Sequence, residues 1–215
     1  MPTQIKEKPI IFSTPMVQAI LNGTKTQSRR VIKPQPYQSY SSLSWDGNDK
    51  SGNGRGTGII GTNEAGLKMW LPLVCPYGQA GDRLWVRETF WAMADGKTIY
   101  YKATVPFPNF PFTWKPSIHM PRWASRITLE ITGIRVERVQ DISHEDARAE
   151  GVIPMTCCLP DAQHYFTPFK ELWDSINAKH SWESNPWVWV IEFKKVTGDA
   201  VMLSQVGVTP HKGGE

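Results

Sequence analysis

Large apolar side chains alternate with smaller or charged ones near the end of the chain. The large set is Trp187, Trp189, Ile191 and Phe193, and the set between them is Val188, Val190, Glu192 and Lys194. Because successive side chains of a strand point to opposite faces of a sheet, this order predicts a β-strand over residues 187–196 with one bulky face. Aromatic rings dominate the energetics of burial, so most of the ten tryptophans are expected in the core.

Strand patterns also occur in the middle of the chain, and they set the fold class. The predicted strands are 83–90, 98–103, 126–131 and 134–139, the last two joined by a turn at Thr132-Gly133. Two helices are predicted at 143–150, capped by Ser143, and at 167–178. Several strands with few short helices and no alternation of strand and helix predict an α+β fold built on a small, curved, barrel-like sheet.

The length and the composition favour one domain. With 215 residues and 40% hydrophobic content, the chain can bury one core, and we expect a single domain over residues 1–196. Residues 37–68 are rich in Ser, Gly and Asn and are predicted to be a flexible insertion, since they bury too little apolar surface to fold alone. Residues 106–121, with five prolines, are expected to form an ordered, non-regular loop, and 197–215 a flexible tail.

The sequence favours a soluble protein of the cytoplasm. It contains no apolar run long enough to span a bilayer, and its first residues lack the apolar segment of a signal peptide, so no membrane partner is expected. Its three cysteines do not form a disulfide framework. Cys157, Cys158 and His164 lack the spacing of metal ligands, and no glycine motif for phosphates or dinucleotides is present. We therefore expect no metal and no cofactor.

A short segment near the start of the chain carries the most chemistry. A helix with Thr14 as its cap and Pro15 at its first position is predicted to end at Gly23, because glycine suits the left-handed exit from a helix. One group of cations follows, namely Lys25, Arg29, Arg30 and Lys33; a second comprises Arg122, Arg126, Arg135 and Arg138 near Trp123.

The two groups of cations and the nearby tryptophans indicate a nucleic-acid or nucleoside ligand. The net charge of +4 is too small to decide this by itself. Cations beside aromatic rings are what a single-stranded or flipped-out base requires, since phosphates attract charge and bases stack on flat faces. Trp91, Trp114 and Trp123 lie among polar residues and are candidates for such a rim. The alternative is that the arginines form a solvated face of the sheet.

The pattern Gly23-x-Lys25-x-x-x-Arg29, placed between a helix and a strand, resembles the signature of the ASCH domain, a small β-barrel family related to the RNA-binding PUA domains. The Gly81-Asp82 turn, the helix at 143–151 and the closing strand at 188–193 resemble other parts of that family. The resemblance covers most of residues 9–196 and extends to longer ASCH-type proteins of phages and prophages. It implies a PUA-like barrel with short flanking helices and long loop insertions.

The best-defined activity of ASCH proteins is that of bacterial amidohydrolases, which remove the acetyl group of N4-acetylcytidine with a lysine, a threonine and a glutamate. The resemblance places these roles on Lys25, Ser28 and Glu150, with serine in the position of the threonine. Ser28 would attack the acetyl carbonyl, Lys25 would accept its proton, and Glu150 would hold or protonate the leaving nitrogen. Arg29 or Arg30 would lower the pKa of Lys25, and backbone amides near Gly23 would stabilise the oxyanion.

Strand geometry limits this hypothesis. In a regular strand over 26–32, Ser28 and Arg30 share a face that Lys25 does not, so Lys25 can meet Ser28 only if it belongs to the preceding turn. In the alternative, Lys25 caps carbonyls at the end of the helix, and Ser28 is a surface hydroxyl.

Glu88 has the same parity as Leu84 and Val86 and is predicted to point into the interior, where an unpaired carboxylate is costly. Its expected partner is Lys25 or Arg30. Arg87 is expected to face outward, and Trp91 to border the pocket. The predicted substrate or nucleic-acid contacts are Arg29, Arg30, Arg87, Glu88, Trp91, Arg122 and Trp123.

Three functions remain open from the sequence. The first is deacetylation of a modified cytidine by Lys25, Ser28 and Glu150. The second is binding of RNA or DNA without chemistry. The third is an ASCH-type ribonuclease that uses Lys25, Arg30 and the second group of arginines. The expected partners are RNA, single-stranded nucleic acid or a modified nucleoside; the sequence leaves the oligomeric state undetermined.

Overall fold

The computed structural model describes residues 5–36, 40–46, 58–71, 73–95, 97–105, 113–156 and 163–196. These residues form an α+β protein. The first strands are β1 (Glu7–Ile11), β2 (Gln27–Val31), β3 (Tyr40–Asp46), β4 (Gly58–Asn63), β5 (Lys68–Leu71) and β6 (Arg83–Arg87). The remaining strands are β7 (Phe90–Ala92), β8 (Ile99–Tyr101), β9 (Thr128–Arg138), β10 (Met155–Thr156), β11 (Gln163–His164) and β12 (Trp187–Lys195). The α-helices are α1 (Thr14–Leu21), α2 (His144–Ala149) and α3 (Phe166–Ile176).

The largest sheet has five strands in the order β1-β6-β9-β12-β2. β1 runs parallel to β6, and the other neighbours are antiparallel. Among the described strands, no pairing joins the outer strands β1 and β2, so the predicted closed barrel is not observed. The other described pairings form a sheet of β3-β4-β5 and the hairpins β7-β8 and β10-β11.

The alternating pattern predicted for the last strand is confirmed in β12, and both of its faces are buried. Trp187, Trp189, Ile191 and Phe193 belong to the main core. Val188 and Val190 point to the other face and pack with Phe169 and Trp173 of α3 in a second cluster. β12 therefore separates two apolar layers, which holds α3 at a fixed place beside β2.

The predicted hairpin at Thr132-Gly133 does not form. Both residues lie inside β9, which runs without a turn from Thr128 to Arg138. The register against β12 shifts between Glu192 and Phe193, opposite this point. A Cβ on Gly133 would lie 2.7 Å from the Oε2 atom of Glu192. The glycine thus serves a bulge and a close approach between strands.

The predicted flexible insertion at 37–68 contains regular structure in its described parts. Residues 40–46 and 58–63 form β3 and β4, and Tyr40, Leu43 and Ile59 are buried in the main core. These apolar side chains are buried although the average composition of residues 37–68 predicted little buried apolar surface. Residues 37–39, 47–57, 106–112, 157–162 and 197–215 lie outside the described residues, and with them Cys157, Cys158 and the predicted tail.

Of the two predicted helix caps, one is confirmed and the other is shifted by one residue. Ser143 caps α2 by accepting a hydrogen bond from the Asp146 amide at 3.1 Å, as predicted. In α1, however, Ser13 is the N-cap and Thr14 is the first helical residue; Ser13 makes no side-chain capping bond. In the described segments, no helix has the length and apolar character needed to cross a membrane.

Candidate active site

Lys25 lies in the turn between α1 and β2. Gly23 has a φ of +76°, the left-handed conformation predicted for the end of α1. The Lys25 amide donates to the Ala19 carbonyl at 3.1 Å, and a β-bridge pairs Lys25 with Glu150. Since β2 begins only at Gln27, the condition that Lys25 belongs to the turn is met.

The side chains of Lys25 and Glu150 form a buried ion pair. The Lys25 Nζ donates to the Glu150 Oε2 atom at 2.7 Å and to the Glu150 carbonyl at 2.8 Å. Lys25 is 2% exposed and Glu150 is 5% exposed. The alternative in which the Lys25 amine caps α1 is therefore wrong. Burial lowers the pKa of Lys25; Glu150 opposes this effect, and Arg30 and Arg29 lower the pKa further.

Arg29 is a member of this buried network and does not face solvent. Its Nη1 atom lies 3.4 Å from Glu150 Oε1, and its Nη2 atom donates to Asp146 at 2.8 Å and to Glu137 at 3.0 Å. Arg135 bonds the same Asp146 and Glu137 and also Glu192. The guanidinium of Arg29 therefore orients Glu150 and is neutralised by carboxylates, which leaves it less suited to phosphate binding than expected.

Ser28 lines a cleft together with Glu150 and Arg29. It lies in β2 opposite Ile191 and is 3% exposed, so it is not the surface hydroxyl of the alternative hypothesis. Ser28, Arg29, Arg30 and Glu150 all line a cleft of about 710 Å³. Within the described residues, the Ser28 hydroxyl has no hydrogen-bond partner, and both side-chain bonds of Lys25 go to Glu150.

The cleft has both apolar and charged lining residues. Its apolar lining includes Phe12 after β1 and Phe169, Leu172 and Trp173 of α3. Its volume is within the range of small-molecule sites, about 300–1,000 Å³, and its combination of aromatic rings and few charged groups is typical of them. The cleft is thus large enough for a nucleoside.

Arg30 borders the cleft beside Phe12. Its guanidinium lies 5.3 Å from the centre of the Phe12 ring, and its Nη2 atom donates to the Ile11 carbonyl at 2.7 Å. The Nε atoms of Arg30 and Arg29 are buried, and neither has a hydrogen-bond partner in the described part of the chain. Each is thus a buried donor whose hydrogen-bonding capacity the described residues leave unused.

The backbone amides near Gly23 do not form the predicted oxyanion site. The amides of Gly23, Thr24, Lys25 and Thr26 all donate to carbonyls, of Ile20, Ala19, Ala19 and Ala149 respectively. These amides are therefore not available to an oxyanion.

Glu88 is buried as predicted, but its predicted partner is wrong. It is 1% exposed and forms a two-pronged pair with Arg126, from Nε at 2.9 Å and from Nη2 at 3.0 Å. Neither Lys25 nor Arg30 contacts it. Arg126 also stacks on Tyr101 at 4.0 Å, so this pair stabilises a region separate from the Lys25 network.

The other predicted contacts do not line the cleft. Arg87 stacks on Trp85 and bonds the Ile118 carbonyl, so it is half-buried and does not simply face outward. Trp91 lies in β7 against Tyr100. Arg122 pairs with Glu7 on the surface, and Trp123 beside it is 62% exposed. The second group of arginines is therefore dispersed among separate partners.

Two parts of the site were missed from the sequence. Asp146 was not predicted to belong to the site, although a carboxylate one turn before Glu150 was a usable signal. Phe169, Trp173 and Ile176 recur at helical spacing and form one wall of the cleft, a pattern that sequence alone assigns equally well to the core. The described residues contain no cluster of three or more side chains suited to a metal ion.

Comparison with protein-family models, curated proteins and solved structures gives no match to this chain.

Proposed function

We propose that the chain is an ASCH-type hydrolase with a PUA-like fold that removes the acetyl group from a modified cytosine such as N4-acetylcytidine. The observation that carries the proposal is the buried Lys25–Glu150 pair, whose Glu150 lines a cleft of nucleoside size together with Ser28, a serine whose hydroxyl is unpaired among the described residues. A cytoplasmic location is part of the same proposal.

The mechanism requires the neutral form of Lys25, which must form from the Lys25–Glu150 ion pair before the reaction. Burial lowers its pKa, and a neutral amine that donates its two protons to Glu150 keeps its lone pair for the Ser28 proton. The Ser28 oxygen attacks the acetyl carbon, and the carbonyl electrons move to the oxygen. Arg30, whose side chain lines the cleft and has no ion-pair partner among the described residues, donates to this oxyanion.

The intermediate then collapses with cleavage of the carbon–nitrogen bond. The proton held by Lys25 passes to the N4 leaving group, which departs as the amino group of cytosine, and the acetyl group remains on Ser28. Lys25, neutral again, takes a proton from water, whose oxygen attacks the acetyl carbon. Acetate leaves, and the Ser28 oxygen regains its proton.

The test is acetate release from N4-acetylcytidine by the purified protein. Ser28→Ala is expected to lower kcat by about a thousandfold or more, since it removes the nucleophile. Ser28→Thr keeps a hydroxyl and is expected to retain measurable activity. Ser175→Ala, an exposed serine of α3, is the matched control and should behave as the unmodified protein. Full activity of Ser28→Ala would exclude the mechanism.

A non-catalytic binding module is the second candidate. It is favoured by the two hydrogen bonds of the Lys25 amine to Glu150 and by the absence of one to Ser28 among the described residues. In that case the protein binds N4-acetylcytidine without releasing acetate, and Ser28→Ala leaves the affinity nearly unchanged. We do not propose a ribonuclease, because the arginines that it requires as a phosphate clamp are paired elsewhere.

A further inference from the structure

The N-terminus of α1 faces the same cleft as Ser28. Ser13, Thr14, Pro15 and Met16 all belong to the cleft lining. The first turn of α1 carries no acidic residue, and Ser13 makes no capping bond with its side chain. The amides of a first helical turn lack partners inside the helix and carry a partial positive charge, which makes such an end favourable for an anion.

Two cations line the same cleft as this helix end. Arg30 donates to the carbonyl of Ile11, two residues before the N-cap Ser13. Lys102 lines the cleft, is exposed, and has no ion-pair partner in the segments that the structure describes. The carbonyl of the next residue, Ala103, accepts a hydrogen bond from the Gln18 side chain of α1 at 3.1 Å, so this part of the chain lies against α1.

The charges of the cleft are unbalanced toward the positive. Arg30 and Lys102 line it and have no ion-pair partner among the described residues, whereas Glu150, its single acidic lining residue, already bonds Lys25 and Arg29. The buried hydroxyl of Ser28, without a partner among the described residues, independently indicates that the cleft receives a ligand. A neutral nucleoside would leave the cations at the helix end unused.

We propose that Arg30, Lys102 and the N-terminus of α1 form a phosphate subsite, and that the substrate is therefore a nucleotide, free or within RNA, and not a nucleoside. The inference depends on the proposed function only for the identity of the base, cytosine. The phosphate subsite itself does not depend on it. The cleft of about 710 Å³ accommodates a base, a ribose and a phosphate together.

Calorimetric titration with cytidine, cytidine 5′-monophosphate and a short cytidine-containing RNA tests the subsite without any turnover. The monophosphate is expected to bind about tenfold more tightly than cytidine at low salt, with a smaller difference at high salt. Comparable affinity of the RNA would place the nucleotide within a strand, and loss of RNA binding would restrict the site to free nucleotides.

Two variants assign the effect to the subsite. Lys102→Ala removes one cation, and Thr14→Asp puts a negative charge on the first turn, where it stabilises the helix but repels phosphate. Each is expected to weaken monophosphate binding by about three- to tenfold and to weaken cytidine binding less, because only the monophosphate carries the charge that the subsite binds. Lys97→Ala, an exposed lysine outside the cleft lining, is the matched control. If Thr14→Asp unfolds at the same temperature as the unmodified protein or at a higher one, its weaker binding of the monophosphate is not caused by misfolding.

The outcomes separate this inference from the proposed function. Equal affinity for cytidine and its monophosphate overturns the phosphate subsite, even if N4-acetylcytidine is hydrolysed. A preference for the monophosphate that Lys102→Ala and Thr14→Asp abolish supports the subsite, even if no acetate is released.

Discussion

The charged side chains of the site alternate in sign along one series of contacts. From Lys25 the series passes to Glu150 at 2.7 Å, to Arg29 at 3.4 Å and to Asp146 at 2.8 Å, and it continues to Arg135. Each oxygen of the Glu150 carboxylate faces a different cation. The carboxylate is thus held in one orientation, which a group that positions a reacting nitrogen requires.

Replacement of Asp146 by asparagine is expected to change how stability depends on acid. Burial raises the pKa of this carboxyl, but the hydrogen bond and charge of Arg29, with those of Arg135, outweigh burial and hold the pKa below its ordinary 3.8. Because the folded pKa is the lower one, ionised Asp146 stabilises the fold above about pH 4, and this contribution is lost as the pH falls through the folded pKa.

Urea unfolding of the native protein and Asp146→Asn, from about pH 7 to about pH 3, measures this effect. The variant should be less stable than the native protein at neutral pH, and the difference in their free energies of unfolding should become smaller in acid. Glu145→Gln, the exposed neighbour on α2 that forms no ion pair in the described segments, is the control. If the difference in free energy of unfolding between the native protein and Asp146→Asn stays constant across the pH range, the role given to Asp146 is wrong.

At the scale of elements, two glycine turns hold the site together. Gly23 ends α1 with a φ of +76°, and Gly151 follows Glu150 with a φ of +78°. A Cβ on Gly23 would meet nothing within 4 Å, whereas one on Gly151 would lie 2.9 Å from the Lys25 Cβ and 2.8 Å from that of Ala19. The second turn packs directly against Lys25.

Alanine at these two glycines should therefore have different effects. Gly23→Ala costs backbone strain alone, about 1–2 kcal/mol. Gly151→Ala adds a steric clash worth about 1–3 kcal/mol more and displaces Lys25, so it should also reduce acetate release. Denaturant unfolding and the acetate assay of both variants provide the measurement. Equal losses of stability in the two variants would show that the turn at Gly151 shifts to accommodate the added Cβ at no extra cost in free energy.

The sequence predicted local secondary structure better than the contacts between residues that are distant along the chain. The turn at Gly23, the cap at Ser143 and the alternation in β12 follow from local chemistry, and all three are confirmed. The Thr132-Gly133 turn was wrong because a glycine inside a strand serves a bulge as readily as a turn. Arg126 as the partner of Glu88 was missed because it lies 38 positions away, on a strand whose register no local pattern gives.

For the whole molecule, the order of strands predicts where the fold is most stable. β9 and β12 are the inner strands that pair most extensively, and β12 has an apolar layer on each face. We expect their amides to exchange hydrogen most slowly, and those of the short β7-β8 hairpin faster. Hydrogen–deuterium exchange followed by mass spectrometry measures both. Faster exchange in β12 than in β7 would contradict this arrangement.

The separation of Lys25 and Glu150 along the chain also affects folding. They are 125 positions apart, which makes the contact highly non-local, so it forms only after a long segment has closed. During refolding the ion pair should therefore appear with the last cooperative phase, after local helices and hairpins. Recovery of ligand binding would then report completion of the native topology, and a kinetic intermediate would possess neither half of the site in working form.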